Sequence, residues 1–289
     1  MTNLRIAAIQ MRSGTDPERN AEIFEQFVRE AAGKGAVYVQ SPEMTGILVR
    51  SREELLAKIK GEKDDPIALK AAALAAELSI FVHVGSTAVA LNDGKVANRA
   101  FLFAPDGSLV TTYDKIHMFD VDLDKGESWR ESATYQPGSR AVVAEMPFGR
   151  MGLAICYDLR FPQLFRAQAL AGARMLTVPA AFTRQTGEAH WHVLLRARAI
   201  ENGAWVVAAA QGGKHEDGRE TFGHSMVVDP WGRIVAEADH DEPGVIFADI
   251  DIAASEEARR KIPNLRNSRE FSLETAEMAR SAEPERAAS

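Results

Sequence analysis

Apolar runs of strand length recur along the whole chain, and most are rich in β-branched residues, as half-buried or buried strands require. In chain order they read "LRIAAIQM", "AVYVQ", "IFVHVGSTAVA", "RAFLFAP", "SLVTTY", "AVVAEMP", "MGLAICY", "MLTVPA", "WVVAAAQ", "HSMVVDP", "RIVAEAD" and "GVIFADI". The pattern therefore predicts about a dozen strands spread from one end of the chain to the other.

The segments between these runs are of two kinds. Short turn sequences, "APDGS" at 104–108, "PFGR" at 147–150 and "DPWGR" at 229–233, predict hairpins. Helices are predicted at 17–34, 65–79, 161–172, 188–203 and 253–262. Because hairpins and helical crossovers alternate, we expect an α/β protein with mixed sheets whose faces are covered by helices.

The chain shows no internal sequence repeat and no low-complexity linker, so residues 1–270 are interpreted as one domain. The remaining segment, 271–289, is rich in Ala and Glu. We expect this tail to be loosely ordered or to pack on a partner subunit.

Composition narrows the function classes. Hydrophobic residues make up 46% and charged residues 26% of the chain, the proportions of a globular protein. A net charge of -7 argues against a nucleic-acid partner, because no basic stripe is available to displace counterions from phosphates. The first residues lack the pattern of a secretory signal, and no apolar segment reaches membrane-spanning length. The sequence thus predicts a cytoplasmic protein with no membrane partner.

Polar residues follow directly after three of the predicted strands. Glu43 comes after "AVYVQSP", Lys115 after "SLVTTYD", and Cys156, the single cysteine of the chain, after "MGLAI". In α/β proteins, ligand sites form beyond the carboxyl ends of strands, so these positions are where chemistry is expected.

Each of the three residues also has an ordinary structural reading. A lone cysteine is often a core residue, and a glutamate or lysine at a strand end often faces solvent. Together, however, they make a coherent catalytic set. Glu43 can take the proton of a nucleophilic thiol, and Lys115 can stabilise the oxyanion that forms when Cys156 attacks a carbonyl.

Longer motifs around these residues resemble the nitrilase superfamily of carbon–nitrogen hydrolases. The segments "YDKIHMFDVDL", "GLAICYDLRFP", "GEAHWHVLLRARAIENGAWVVAAAQ" and "GHSMVVDPWGRIVAEA" are similar to the omega-amidase and deaminated-glutathione-amidase branch. The resemblance runs through nearly the whole length of the chain. Tyr-Asp after the cysteine favours amidases, because nitrilases and carbamoylases usually carry Trp or Asn there.

The resemblance implies roles for individual residues. It makes Cys156 the nucleophile, Glu43 the general base and Lys115 the oxyanion stabiliser, and it suggests Glu131 as a second glutamate that positions substrate or lysine. Glu127, four residues earlier, is the alternative for that last role. The implied fold is a four-layer αββα sandwich with two mixed sheets, which pairs into a homodimer or higher homo-oligomer.

The resemblance also implies a small amide substrate that carries a carboxylate, hydrolysed to an acid and ammonia or an amine. A carboxylate in a partly dry pocket needs a cation, and Arg184, in a predicted loop after "MLTVPAAF", is the first candidate. Arg160 is the second, with a structural ion pair to Asp158 or to another buried acid as its alternative, and Tyr157 beside the nucleophile is a further substrate-binding candidate.

Other chemistries have less support. The histidines of "HWH" at 190–192 point to different sides of a helix, and Ser225 in "GHS" has no oriented acid, so both motifs are interpreted as structural and no metal is predicted. Nucleotide-binding loops are absent from the sequence, and no cofactor is predicted. Two alternatives stay open: a nitrilase or N-carbamoyl amide hydrolase with the same triad, and a binding protein of the same fold without catalysis.

Overall fold

The computed structural model describes residues 3–92, 94–123 and 128–276. Its α-helices are α1 (Pro17–Gly33), α2 (Arg52–Lys58), α3 (Pro66–Leu78), α4 (Pro162–Leu170), α5 (Arg184–Asn202) and α6 (Ala253–Lys261). Its strands are β1 (Asn3–Gln10), β2 (Tyr38–Gln40), β3 (Phe81–Ala90), β4 (Val96–Phe103), β5 (Leu109–Asp114), β6 (Asp120–Asp122), β7 (Ser128–Arg130), β8 (Val142–Met146), β9 (Gly149–Leu153), β10 (Met175–Thr177), β11 (Trp205–Ala208), β12 (Gly212–Lys214), β13 (Glu220–Phe222), β14 (Met226–Val228), β15 (Ile234–Glu237) and β16 (Gly244–Asp251).

Two six-stranded mixed sheets form the centre of the protein. The first has the order β16-β1-β2-β3-β4-β5 and the second β15-β14-β11-β10-β9-β8. Both sheets have the same order of strand pairings. From β16 in the first sheet and from β8 in the second, successive neighbours pair antiparallel, parallel, parallel, antiparallel and antiparallel. The two sheets thus repeat one topology, which the sequence does not reveal as an internal repeat.

The apolar side chains of β1 show how the layers are stacked. Ile6 and Ala8 point into a core shared with strands of the second sheet, whereas Ala7 and Ile9 point into a separate core beneath α1 and α3. Successive residues of this strand point to opposite faces, and both faces carry apolar side chains because both are covered. Helices α4 and α5 cover the outside of the second sheet. The order is αββα, and the predicted sandwich is confirmed.

Local signals explain the helix starts. Asp16 caps α1 by accepting hydrogen bonds from the backbone N–H groups of Glu18 and Arg19, and proline follows at the first helical position. Asp65 caps α3 in the same way and is itself buried. Both helices were expected from the sequence to within two residues.

The structure departs from the predicted elements in a few places. Helix α5 begins at Arg184, four residues before the predicted start, because Gly187 does not break the helix there. A Cβ on Gly187 would lie 2.3 Å from Phe222, so glycine is required by close packing. Helix α2 and the small hairpins β6-β7 and β12-β13 were not predicted. The three predicted hairpins are present as β4-β5, β8-β9 and β14-β15.

The tail falls partly within the described residues. Positions 271–276 are exposed, including Phe271 at 89% and Leu273 at 90%. In the described ranges, no helix combines the length and apolar character needed to cross a bilayer.

Candidate active site

Three loops bring Glu43, Lys115 and Cys156 together between the two sheets. Glu43 lies three residues beyond β2, Lys115 directly follows β5, and Cys156 lies three residues beyond β9. Strands β2 and β5 run in the same direction, so both end at the same edge of the first sheet. All three side chains are buried, at 4%, 2% and 6% exposure respectively. The structure thus brings the three predicted side chains together.

The backbone presents Cys156 in an unusual conformation. Its φ is 50°, in the left-handed region that few non-glycine residues adopt, and it starts the short 3-10 helix Cys156–Arg160. The Cys156 N–H donates to the carbonyl of Pro179 at 2.9 Å, which helps to hold this turn. Backbone strain at a reactive residue is tolerated where the surrounding structure fixes it.

Asp158 supplies much of that support. Fully buried, it accepts hydrogen bonds from the Ile155 N–H at 2.9 Å and the Tyr113 hydroxyl at 2.6 Å. It also accepts from the His117 N–H at 3.1 Å, and the His117 ring lies 2.6 Å away. The carboxylate of Asp158 therefore orients the nucleophile turn. Its partners are not Arg160, so the alternative of an Arg160–Asp158 ion pair is wrong.

Glu43 and Lys115 are in direct contact. The Lys115 Nζ donates to Glu43 Oε1 at 2.9 Å, and the Ala181 backbone N–H donates to Glu43 Oε2 at 2.9 Å. The Cys156 thiol lines the same cavity, and the negative charge of Glu43 acts on it. A base, a thiol and a cation thus share one buried cluster.

A second carboxylate completes this cluster. Glu131, at the start of the 3-10 helix Glu131–Ala133, accepts from Lys115 Nζ at 2.8 Å and from the Phe119 N–H at 2.7 Å. This is the place that the resemblance assigns to Glu131; the alternative, Glu127, lies outside the described residues.

Sequence reasoning missed Asn98, which stands between the two carboxylates. Its amide donates to Glu43 Oε1 at 2.9 Å and to Glu131 Oε1 at 3.2 Å. Asn98 is fully buried on β4, and its sequence signal is a polar amide within the apolar strand "VANRAFLF".

Burial and charge set the protonation states of the cluster. Burial raises the pKa of the Cys156 thiol well above its usual range, and the negative charge of Glu43 raises it further. Burial also raises the pKa of Glu43, but the charge of Lys115 and the hydrogen bonds outweigh this and hold it below its usual range. Burial lowers the pKa of Lys115, yet the two carboxylates hold it well above its ordinary value. The resting site contains a thiol, two carboxylates and an ammonium group.

This charge balance determines which proton transfer is accessible. Two carboxylates and one ammonium leave one net negative charge in a buried volume, so loss of the thiol proton to solvent would add a second. Transfer of that proton from Cys156 to Glu43 keeps the net charge constant. The geometry therefore favours a thiol that is deprotonated by Glu43 as it attacks.

The cluster opens into a cavity of about 490 Å³, within the range of small-molecule sites. Its walls include Glu43, Lys115, Glu131, Cys156, Tyr157 and Arg160. Tyr157 packs edge-on against Phe119, and the Arg160 guanidinium lies over the rings of Tyr157 and Phe182 at 5.8 and 5.4 Å. Two of the three proposed substrate-binding residues thus reach the cavity.

The third does not. Arg184 is the first residue of α5 rather than part of a loop, and it is not among the residues that line the cavity. Its guanidinium forms ion pairs with Glu220 at 3.2 Å and Asp241 at 2.5 Å. Because Arg184 already pairs with two carboxylates, it is a poor anchor for a third. The prediction that Arg184 lies in a loop beside the substrate is wrong.

A different arginine lines the cavity, and the sequence did not point to it. The Arg219 side chain is only 17% exposed and lies 4.6 Å above the Trp129 ring. Its nearest carboxylate, Asp217, is 3.5 Å away, and within the described ranges its Nε–H has no hydrogen-bond partner. Burial lowers the pKa of Arg219, and Asp217 only partly offsets this. The positive charge of Arg219 is thus only partly balanced by a carboxylate, and its side chain lines the cavity.

Two amidases are similar to this chain over most of its length. Deaminated glutathione amidase of Yersinia enterocolitica is 38% identical over 272 residues, which cover 93% of this chain and 94% of that protein. Human omega-amidase NIT2 is 36% identical over 271 residues, covering 93% and 96%. Both similarities extend through all the segments that supply the cluster.

The fold agrees as well. The crystal structure of the C. elegans NitFhit protein superposes with a TM-score of 0.85 at 34% identity, covering 93% of this chain and 66% of that one. The family profile for carbon–nitrogen hydrolases matches residues 5–260, which include Glu43, Lys115, Glu131 and Cys156. The chain therefore belongs to the carbon–nitrogen hydrolase family of the nitrilase superfamily.

Proposed function

We propose that this protein is an amidase that hydrolyses a small carboxylate-bearing amide to an acid and ammonia or an amine, through a thioester on Cys156. The observation that carries the proposal is the burial of Cys156, Glu43 and Lys115 at one cavity, with Lys115 Nζ 2.9 Å from Glu43 Oε1. The two relatives named above, a deaminated glutathione amidase and an omega-amidase, support the same reaction class.

The first half-reaction forms the thioester. Glu43 accepts the Cys156 proton while the sulfur attacks the amide carbon, and the carbonyl oxygen becomes an oxyanion. The Lys115 ammonium stabilises that charge. When the tetrahedral intermediate collapses, the C–N bond breaks, and the protonated Glu43 gives its proton to the departing nitrogen.

The second half-reaction regenerates the enzyme. Glu43, again a carboxylate, takes a proton from water as the water oxygen attacks the thioester carbon. Collapse of the second tetrahedral intermediate breaks the C–S bond and releases the acid, and the thiolate recovers its proton from Glu43. One water is consumed, and every proton is accounted for.

Arg219 is the residue we propose to bind the substrate carboxylate. The Arg219 guanidinium lines the cavity and has a 3.5 Å contact with Asp217, so its remaining N–H groups can donate to a carboxylate, and low exposure strengthens such bonds. Arg160 and Tyr157, closer in sequence to the nucleophile, would contact the part of the substrate next to the amide.

The activity is tested by ammonia release from matched amide, nitrile and carbamoyl compounds. We expect hydrolysis of the amides, and none by Cys156→Ala with its fold intact. Release from the nitrile or carbamoyl compounds alone would assign the enzyme to those classes instead. A wild-type protein inactive on all three would favour a binding protein without catalysis.

The role of Glu43 is tested by mass spectrometry. Glu43→Gln keeps the shape and one acceptor oxygen but cannot accept a proton, so we expect no acyl-enzyme after mixing with substrate. Formation of the acyl-enzyme at the wild-type rate would show that Glu43 is not the base of the first step.

The anchor is tested by Arg219→Met, which keeps an apolar stem against Trp129. We expect kcat/KM for a carboxylate-bearing amide to fall by about 10- to 150-fold, the worth of a charge-assisted hydrogen bond, while a neutral amide changes little. Arg184→Met is the matched control, because that arginine lies outside the cavity. Equal losses on both amides would remove Arg219 as the anchor, and the same selective loss in Arg160→Met alone would move the role there.

We also propose a homodimer in the cytoplasm, with 1–270 as the catalytic domain and 271–289 as a tail on the partner. Val193 and Ile200 are seven residues apart on one face of α5 and are 68% and 52% exposed; the turn carrying Trp231 lies beside them. Light scattering of a Val193→Glu, Ile200→Glu variant should give a monomer, and Leu69→Glu on α3 should not. An unchanged mass for the double variant would exclude this face.

A further inference from the structure

Two histidines and one glutamate meet away from the cavity, on the outer side of the second sheet. His192 lies on α5, His224 in the connection between β13 and β14, and Glu237 at the end of β15. His192 Nε2 is 2.6 Å and His224 Nδ1 is 3.1 Å from the same Glu237 oxygen. All three ligand atoms lie within 4.8 Å of one another. None of the three residues lines the catalytic cavity.

Neighbouring contacts hold the two imidazoles in place. The Trp191 indole N–H donates to the His224 carbonyl at 2.8 Å, which ties the residue beside His192 to the backbone of His224. The ring of Phe222 stacks on His224 at 4.2 Å. His224 itself has a φ of 56°, a left-handed conformation that the flanking contacts must maintain. The cluster is therefore arranged by the fold rather than by its own hydrogen bonds alone.

We propose that His192, His224 and Glu237 form a binding site for a divalent transition metal, represented by Zn²⁺. Two imidazole nitrogens and a carboxylate oxygen are a common zinc ligand set, with water in the fourth position. Tetrahedral ligands at about 2.1 Å from the ion stand about 3.4 Å apart. The separations of 2.6 and 3.1 Å from Glu237 are shorter than that value and all three ligand atoms lie within 4.8 Å of one another, so the side chains must rotate to admit the ion.

Access and charge fit an ion at this position. The three side chains are 34%, 23% and 23% exposed, so an ion can enter from solvent while the carboxylate remains partly shielded. The bound ion would join α5 to the edge strand β15 and to the β13–β14 connection. Because α5 also carries Thr186 in the cavity wall, the site would brace one side of the active-site framework.

The competing explanation is that the histidines only form hydrogen bonds to Glu237. The two explanations differ in what Zn²⁺ does. A metal site predicts one saturable Zn²⁺ per chain and a rise in Tm with Zn²⁺, because a ligand that binds only the folded state stabilises it. A hydrogen-bonded cluster predicts neither.

The test is calorimetric titration with ZnCl₂ of the full chain carrying Cys156→Ala, so that the active-site thiol contributes no binding. We expect one Zn²⁺ per chain, and His192→Asn, His224→Asn and Glu237→Gln each to weaken binding by at least about 10-fold, the smallest effect of losing even an outer-shell partner. His190→Asn is the matched control, since its ring faces Arg160 instead.

A cobalt spectrum reports on coordination at the site itself, so it separates loss of the site from unfolding of a variant. Co²⁺ in place of Zn²⁺ should give the intense visible absorption of a four-coordinate site, and Zn²⁺ should displace it. No saturable binding at millimolar Zn²⁺, or binding that His192→Asn and Glu237→Gln leave unchanged while both variants remain folded, would overturn the proposal.

Discussion

Replacing Asn98 with alanine removes the amide that donates to both carboxylates beside Lys115. The bond to Glu43 is 2.9 Å and the bond to Glu131 is 3.2 Å, and both are buried. A hydrogen bond to a charged group contributes about 1.5–3 kcal/mol, so loss of the shorter bond alone should lower kcat by about 10- to 150-fold. Asn98 neither gives nor takes a proton in this mechanism and acts by positioning Glu43.

A pH profile separates positioning from a general structural defect. The Asn98 amide helps to hold the pKa of Glu43 below its usual range, so its removal should raise that pKa. Glu43 must be ionised to accept the thiol proton. The acid limb of kcat/KM should therefore move to higher pH in Asn98→Ala.

The matched control is Asn202→Ala. Asn202 is also fully buried, donates to a backbone carbonyl at 2.9 Å, and like Asn98 has a side-chain oxygen without a partner in the described part of the chain. It lies at the end of α5, so its loss should alter stability without moving the pH profile. Wild-type kcat and an unshifted acid limb in Asn98→Ala would refute the positioning role.

Three further predictions concern charge and packing. Lys115→Met should lower kcat by about 100-fold or more, as expected for loss of an oxyanion stabiliser, and steady-state kinetics would contradict this if only KM changed. Asp65 has its pKa raised to about 6 by burial. The folded state therefore binds an extra proton between about pH 4 and 6, and stability falls as pH rises through that window. Asp65→Asn should cap α3 equally well, and its free energy of unfolding should exceed that of the wild type by up to about 3 kcal/mol at pH 8 and by less at pH 5. Urea denaturation that gives the same difference at both pH values would exclude this prediction. Gly187→Ala should destabilise the protein by about 1–3 kcal/mol because its Cβ would clash with Phe222, whereas Gly33→Ala, which meets nothing within 4 Å, should be neutral or stabilising in thermal melts.

Local sequence signals were sufficient for most of the framework. Strand runs, hairpin turns and the caps at Asp16 and Asp65 depend on neighbours a few residues away, and the corresponding elements are present in the structure. The convergence of Glu43, Lys115 and Cys156 was also predictable, because each follows a strand and strand ends meet at a sheet edge. Their assignment to specific roles needed the family resemblance as well, since each residue alone has an ordinary structural reading.

The tertiary structure alone determines the contacts between segments that are far apart in the chain. Asn98 on β4 reaches Glu43 only because β4 lies beside β3, and Arg219 faces the cavity only because the β12-β13 hairpin folds over it. Arg184 failed as an anchor because Asp241, 57 residues away, pairs with it. His192 and His224, each discounted within its own motif, meet at Glu237 through the packing of α5 on the second sheet. The sequence pattern shows periodicity and local turn signals. Which charged side chains are in contact inside the protein depends on the loops that the two sheets bring together.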